Sequence, residues 1–169
     1  MNSSNHSDFR TVRGYQLANH QDGQLTPALE DYLEMAYRLY LENHYARVGQ
    51  LSELLNVKPS SASKMISKLA AFGYLKYDRY EVILLTEKGQ EIGEYLLTRH
   101  QTIEAFLKLL GSSNPLEETE LIEHTLSPST VADIDMLNRF FTDHPEMLQQ
   151  FTEFQKASLP GAQQPPGED

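Results

Sequence analysis

The chain has 169 residues, a formal net charge of −10, 40% hydrophobic content and no cysteine. That length buries one contiguous core, or a small core plus a dimerisation layer, and hardly three full domains. The lack of cysteine excludes disulfides, thiolate zinc sites and thiol catalysis, so any metal must be held by oxygen and nitrogen. Aliphatic runs such as residues 82 to 85 fall far short of the ~20 residues of a membrane span. The polar stretch from 1 to 13 lacks the basic-then-apolar order of a signal peptide. The expectation is a cytoplasmic protein with no membrane partner.

An acidic chain is a poor partner for nucleic acid on average, because neutralising phosphate takes Lys and Arg. Here the charge is segregated. Residues 47 to 80 carry Arg47, Lys58, Lys64, Lys68, Lys76 and Arg79 against Glu53 and Asp78; six minus two gives +4, leaving −14 for the rest. The basic segment is a candidate interface.

In chain order, residues 1–24 are polar without periodicity and read as a disordered N-terminal extension. Thr26-Pro27 has the form of an N-cap and first helical residue. Leu29, Tyr32, Leu33, Ala36, Tyr37 and Tyr40 then recur at helical spacing, which predicts a first helix over about 26 to 42. A second helix is expected over 46 to 55, with Val48, Leu51, Leu54 and Leu55 inward and Asn56 as its stop. A third opens at Lys58-Pro59, turns Ala62, Met65, Ile66 and Leu69 inward, and ends at Gly73. Two β-prone runs, 75 to 77 and 81 to 85, flank Asp78-Arg79-Tyr80 as a small hairpin. Thr86 can cap a long fourth helix with an apolar stripe of Ile92, Leu96, Ile103, Leu107 and Leu110, stopped by Gly111. A fifth helix is expected over 117 to 126. A sixth follows from Ser127-Pro128 through Val131, Ile134, Leu137, Phe140 and Phe141, and a last one begins at His144-Pro145.

The fold class expected is mainly α: an N-terminal winged helix-turn-helix with a small β-hairpin wing over 25–86, a helical domain over 87–157, and a disordered tail over 158–169. In a winged helix the third helix enters the major groove and the wing approaches the backbone or minor groove. Lys58, Pro59, Ser60, Ser61, Ser63, Lys64 and Lys68 are therefore candidate DNA contacts, with Arg79 and Tyr80 for the wing. Ser and Lys on an exposed helix face equally well serve only to solvate it.

A second constellation is carboxylates and histidines. Asp31 and Glu34 are spaced i, i+3 on the first helix, and Glu120, Glu123 and His124 are spaced to share one face of the fifth. His100 falls four residues after Leu96, on or beside the apolar stripe. Hard oxygen donors with imidazole suit a first-row divalent ion such as Mn(II). Taken singly, the carboxylates also read as a solvated face and the histidine as a core residue. No nucleophile motif or Gly-rich phosphate loop is present, so the expectation is that the chain is not an enzyme.

Thr26-Pro-Ala-Leu-Glu-Asp-Tyr-Leu-Glu34, Tyr45-Ala-Arg-Val48 and Val57-Lys-Pro-Ser-Ser-Ala-Ser-Lys-Met65 form a series of motifs that continues with Arg99-His100 before Phe106-Leu107 and with Glu120-Leu-Ile-Glu-His-Thr-Leu-Ser127. Over residues 26 to 142 this series resembles the manganese-dependent transport regulators of the diphtheria-toxin-repressor family. The resemblance implies a homodimer of winged helices joined by a metal-binding helical dimerisation domain. It implies a binuclear site with two Mn(II) per subunit, held by Asp31, Glu34, His100, Glu120, Glu123 and His124, with Glu120 bridging. Fe(II) or another divalent ion is the alternative occupant; iron-responsive relatives resemble this chain less, since they place a methionine near Asp31 and a cysteine near Glu120, and the residues here point toward manganese. The function implied is a metal-gated transcriptional regulator of the repressor type, acting on metal-uptake genes through palindromic operator DNA and needing no small organic ligand. The alternatives are an iron-dependent repressor of the same family and a winged-helix regulator with an organic effector.

Overall fold

The computed structural model describes residues 25–77 and 82–158, so the expected wing residues Arg79 and Tyr80, and both terminal extensions, lie outside the described residues. The described residues form two compact units divided between Arg99 and His100. Among them, no helix is long and apolar enough to cross a membrane.

The first unit begins with α1 (Pro27–Asn43), where the Thr26 hydroxyl accepts from Leu29 N–H at 3.3 Å and Pro27 fills the first helical position. His44 ends it in the left-handed region at φ 66°, its N–H donating to Tyr40 O at 2.7 Å. There follow β1 (Ala46–Arg47), α2 (Val48–Leu54), α3 (Pro59–Ala71), β2 (Leu75–Tyr77) and β3 (Val82–Leu85). The strands form an antiparallel sheet in the order β1-β3-β2. Ala46 faces Ile83 and Arg47 faces Val82, while Leu75, Lys76 and Tyr77 face Leu85, Leu84 and Ile83. Helices followed by a hairpin against this small sheet are a winged helix-turn-helix.

Two local expectations are corrected. The second helix starts at Val48 and not at 46, because Ala46 and Arg47 pair with β3, a non-local partner that no local pattern announces. Leu54 is 54% exposed and does not point inward. At 3.6 residues per turn it lies roughly 100–120° round the helix from Val48 and Leu55.

The stops behave as local chemistry dictates. Asn56 takes φ 50°, and Gly73 takes φ 80° after α3, with Tyr74 N–H reaching back to Leu69 O at 3.0 Å. Leu33, Leu51, Ile66, Leu69, Ile83 and Leu96 are at most 1% exposed and form the heart of this unit's core. Each contributes about 1.5–3 kcal/mol of burial.

The long helix α4 (Glu87–Leu110) begins in this unit. Gly89 N–H donates to the Thr86 hydroxyl at 3.0 Å, and that oxygen lies 2.8 Å from Gly73 O and 3.0 Å from Tyr74 O. One threonine therefore caps α4 and ties it to the exit of α3. Two further contacts hold α4 on the core. A Cβ on Gly93 would stand 2.6 Å from that of Tyr37, and Arg99 Nη2 bonds Glu30 Oε2 of α1 at 2.9 Å with its side chain 5% exposed.

The second unit holds the end of α4, then α5 (Pro115–Ile122), a 3-10 turn (Glu123–Thr125), α6 (Pro128–Asp143) and α7 (Pro145–Ser158). Gly111 takes φ 81° after α4, and Ser127 caps α6 by accepting from Thr130 N–H at 3.2 Å. The core is small: Ile103, Leu107 and Val131 with Leu126 against them. Asn138 Nδ2 donates to Thr102 O and Gln155 Nε2 to Leu110 O, both at 2.9 Å, fastening α6 and α7 to α4. On α6 Val131 alone is buried, and α7 buries none.

Candidate metal centre and nucleic-acid interface

In the first unit, α1 presents Asp31 and Glu34 one turn apart. Asp31 is half-buried and Glu34 is buried. Glu34 Oε1 accepts from Arg38 Nε at 3.0 Å and Arg38 Nη2 at 2.7 Å. Burial, and then the negative charge of Asp31, raise the Tyr32 hydroxyl above its ordinary pKa.

In the second unit, His100 projects from α4 and is 5% exposed. Its Nδ1 lies 3.3 Å from Glu123 Oε2 and 3.7 Å from Glu120 Oε1, while His124 Nε2 lies 3.8 Å from Glu123 Oε1. Each oxygen of Glu123 thus faces one imidazole nitrogen. The expected single helical face is corrected, however. The α-helix ends at Ile122, so Glu120 rides on α5 while Glu123 and His124 lie on the 3-10 turn.

The change of pitch has a local cause. Pro128 holds Ser127 extended, at ψ 153°, and Leu126 is extended at ψ 139°, so the helix closes before them in a tighter turn. The effect is to separate the donors by depth: Glu123 is 1% exposed, His124 13% and Glu120 57% at the side chain.

These donors fit a divalent cation. A carboxylate buried as fully as Glu123 costs several kcal/mol unless positive charge compensates it. The 3.3–3.8 Å separations are long for hydrogen bonds. They lie near the ~3 Å between neighbouring donors on an ion with bonds of about 2.1 Å.

The other candidate interface is on α3. Lys58 is its N-cap and Pro59 its first residue. Ala62, Ile66 and Leu69 face the core, while Lys58, Pro59, Ser60, Ser61, Lys64 and Lys68 are exposed and Ser63 is half-exposed. Ser61, Ser63, Lys64 and Lys68 line one shallow depression together with Met65 and Ser67. Ser67, whose hydroxyl donates to Ser63 O at 2.8 Å, was not among the sequence candidates, although its i+4 spacing from Ser63 announces it. Arg38 was likewise passed over despite its i+4 spacing from Glu34.

Known proteins bear on both interfaces. Residues 24–83 match the N-terminal DNA-binding domain of iron-dependent repressors, and residues 86–152 match the metal-binding and dimerisation domain of the same proteins. The chain is 41% identical over 138 residues to the HTH-type transcriptional regulator MntR of Geobacillus kaustophilus, covering 80% of this chain and 98% of that one. Among solved structures, the manganese regulator SloR is similar with a TM-score of 0.60 and 32% identity, over 69% of this chain and 55% of that chain. The metal-dependent transcriptional regulator MtsR is similar with a TM-score of 0.61 and 29% identity, over the same shares of the two chains. This chain thus spans about 55% of the length of either solved relative. A winged helix-turn-helix, matches to both family domains, and 41% identity to MntR over 98% of that protein's length place the chain in the diphtheria-toxin-repressor family, as an MntR-type metal-dependent DNA-binding transcriptional regulator.

Proposed function

We propose that the chain is a manganese-responsive repressor of metal-uptake genes that binds palindromic operator DNA as a homodimer. Glu123 carries the reading: a carboxylate 1% exposed, with an imidazole nitrogen facing each of its oxygens, calls for a resident cation. The donors proposed are Asp31, Glu34, His100, Glu120, Glu123 and His124, for two Mn(II) per subunit with Glu120 bridging. Oxygen and nitrogen without sulfur favour manganese over copper or zinc. A bound divalent ion supplies positive charge and a fixed coordination frame to its oxygen and nitrogen donors.

On the DNA side, Ser60, Ser61, Ser63 and Lys64 sit in the first turns of α3, where short polar side chains and helix N-H groups meet base edges and phosphates. Lys58, Pro59 and Lys68 extend this contact along the backbone, and Arg79 with Tyr80 are proposed for the wing. The homodimer is supported by apolar side chains facing solvent on the second unit, among them Leu121, Phe154 and Met136, which are 71%, 68% and 61% exposed. Such a surface marks an interaction site. Asp31 and Glu34 sit on a helix of the DNA-binding domain and the remaining donors in the metal-binding and dimerisation domain. On this reading, Mn(II) binding orders the dimer and so restricts the orientation of α3 in each protomer. A coupling of ~1–3 kcal/mol changes DNA affinity about 5- to 150-fold, enough for a switch.

The test is the affinity of the protein for a duplex selected from a random pool, measured with Mn(II), Fe(II), Zn(II) or chelator. The expected result is at least about fivefold tighter binding with Mn(II) than with chelator. Equal affinities would refute metal gating, and enhancement by Fe(II) or Zn(II) without Mn(II) would refute the choice of metal.

A further inference from the structure

We infer that Arg38 is a positioning residue for the metal centre: it holds Glu34 by a single carboxylate oxygen and so presents the other to a divalent ion as a one-oxygen ligand. This rests on the reading of Glu34 as a ligand. Arg38 follows Glu34 by one turn of α1, and both of its bonds, from Nε at 3.0 Å and Nη2 at 2.7 Å, end on Oε1. A guanidinium paired only for charge commonly spreads two N–H groups over the two carboxylate oxygens. Concentrating both on Oε1 occupies that oxygen and fixes the carboxylate plane.

Burial gives the pair a direction. The Glu34 side chain is 9% exposed and that of Arg38 37%, so the guanidinium anchors from the solvent edge a carboxylate that lies inward. An ordinary surface pair has both members in water and holds neither in one rotamer. Groups that orient a metal's ligands typically change metal affinity 10- to 100-fold when removed.

The experiment is a double-mutant cycle on the full chain, read by calorimetric titration with Mn(II), with the melting temperature of the metal-free protein as control. Glu34→Gln is expected to weaken Mn(II) binding. Arg38→Met is expected to weaken it about tenfold or more; it also lowers the metal-free melting temperature, because the buried Glu34 carboxylate loses its guanidinium, so every titration is run below the melting of the least stable variant. The double variant is expected to bind no more weakly than Glu34→Gln alone. Arg38→Lys, which keeps one donor for Oε1, is expected to fall between Arg38→Met and the unmodified chain; a lysine variant no stronger than the methionine one counts against the inference. Unchanged affinity in Arg38→Met beside a weakened Glu34→Gln overturns it while leaving Glu34 a ligand. Additive losses in the double variant also overturn it. Unchanged affinity in Glu34→Gln instead removes the reading on which it rests.

Discussion

Two glycines in helices of the DNA-binding unit are predicted to respond to alanine with opposite signs. A Cβ on Gly89 would stand 2.0 Å from Tyr74 O and 3.0 Å from Tyr74 C, whereas one on Gly49 would meet nothing within 4 Å. An ordinary carbon-to-carbonyl contact is about 3.3 Å, so Gly89→Ala demands an opening of roughly 1.3 Å between the start of α4 and the exit of α3. The obstacle is backbone and cannot rotate aside. Tyr74 O also accepts Thr86 N–H at 3.0 Å and lies 3.0 Å from the Thr86 hydroxyl, so the opening breaks the tie made through Thr86.

Losing these bonds costs about 1 kcal/mol each, and disturbing the Thr86 cap about 1 more. Alanine returns at most about 1 kcal/mol of helix propensity. The net expectation is a loss of about 2 kcal/mol for Gly89→Ala and a gain of up to about 1 kcal/mol for Gly49→Ala. Urea denaturation followed by circular dichroism measures both. If the two variants shift stability in the same direction, or Gly89→Ala is neutral, the close approach of α4 to Tyr74 is not what positions that helix.

Other outcomes follow from single side chains. Lys64→Ala should weaken DNA binding about equally across sequences and lower the salt slope of the affinity by about 1, as removal of one phosphate contact does; an unchanged slope would remove Lys64 from the interface. Arg99→Met deprives Glu30 of its guanidinium partner at 2.9 Å. The cost should be about 3 kcal/mol, largely recovered by adding Glu30→Gln. A loss below about 1 kcal/mol in chemical denaturation would mean the pair is not a tie between α1 and α4.

Much of the fold was legible because it is written in local chemistry. Thr26-Pro27, Thr86 and Ser127-Pro128 cap helices where a hydroxyl meets a nearby N–H, and Gly73, Gly111 and Asn56 stop them where the chain needs positive φ. The buried residues of α1 and α3 follow the same 3.6-residue period that predicted them. Local pattern failed at β1, whose two residues become a strand only because β3 lies beside them. It failed again at the end of α5, where the turn toward Ser127-Pro128 overrides the α-helical face.

The sequence by itself determined the residue inventory: which groups are able to ligate a metal or meet a phosphate, at what spacing, and that no thiol competes with them. Helical spacing is a one-dimensional property, and it treats Glu120, Glu123 and His124 alike. Only the tertiary structure set Glu123 at 1% exposure and Glu120 at 57%, gave each Glu123 oxygen an imidazole neighbour, and pinned Glu34 by Oε1. Burial depends on everything packed around a side chain, and the energy of a buried charge depends on burial. That is why the candidate donors were countable from the chain, while the depth at which each one sits was set by the fold.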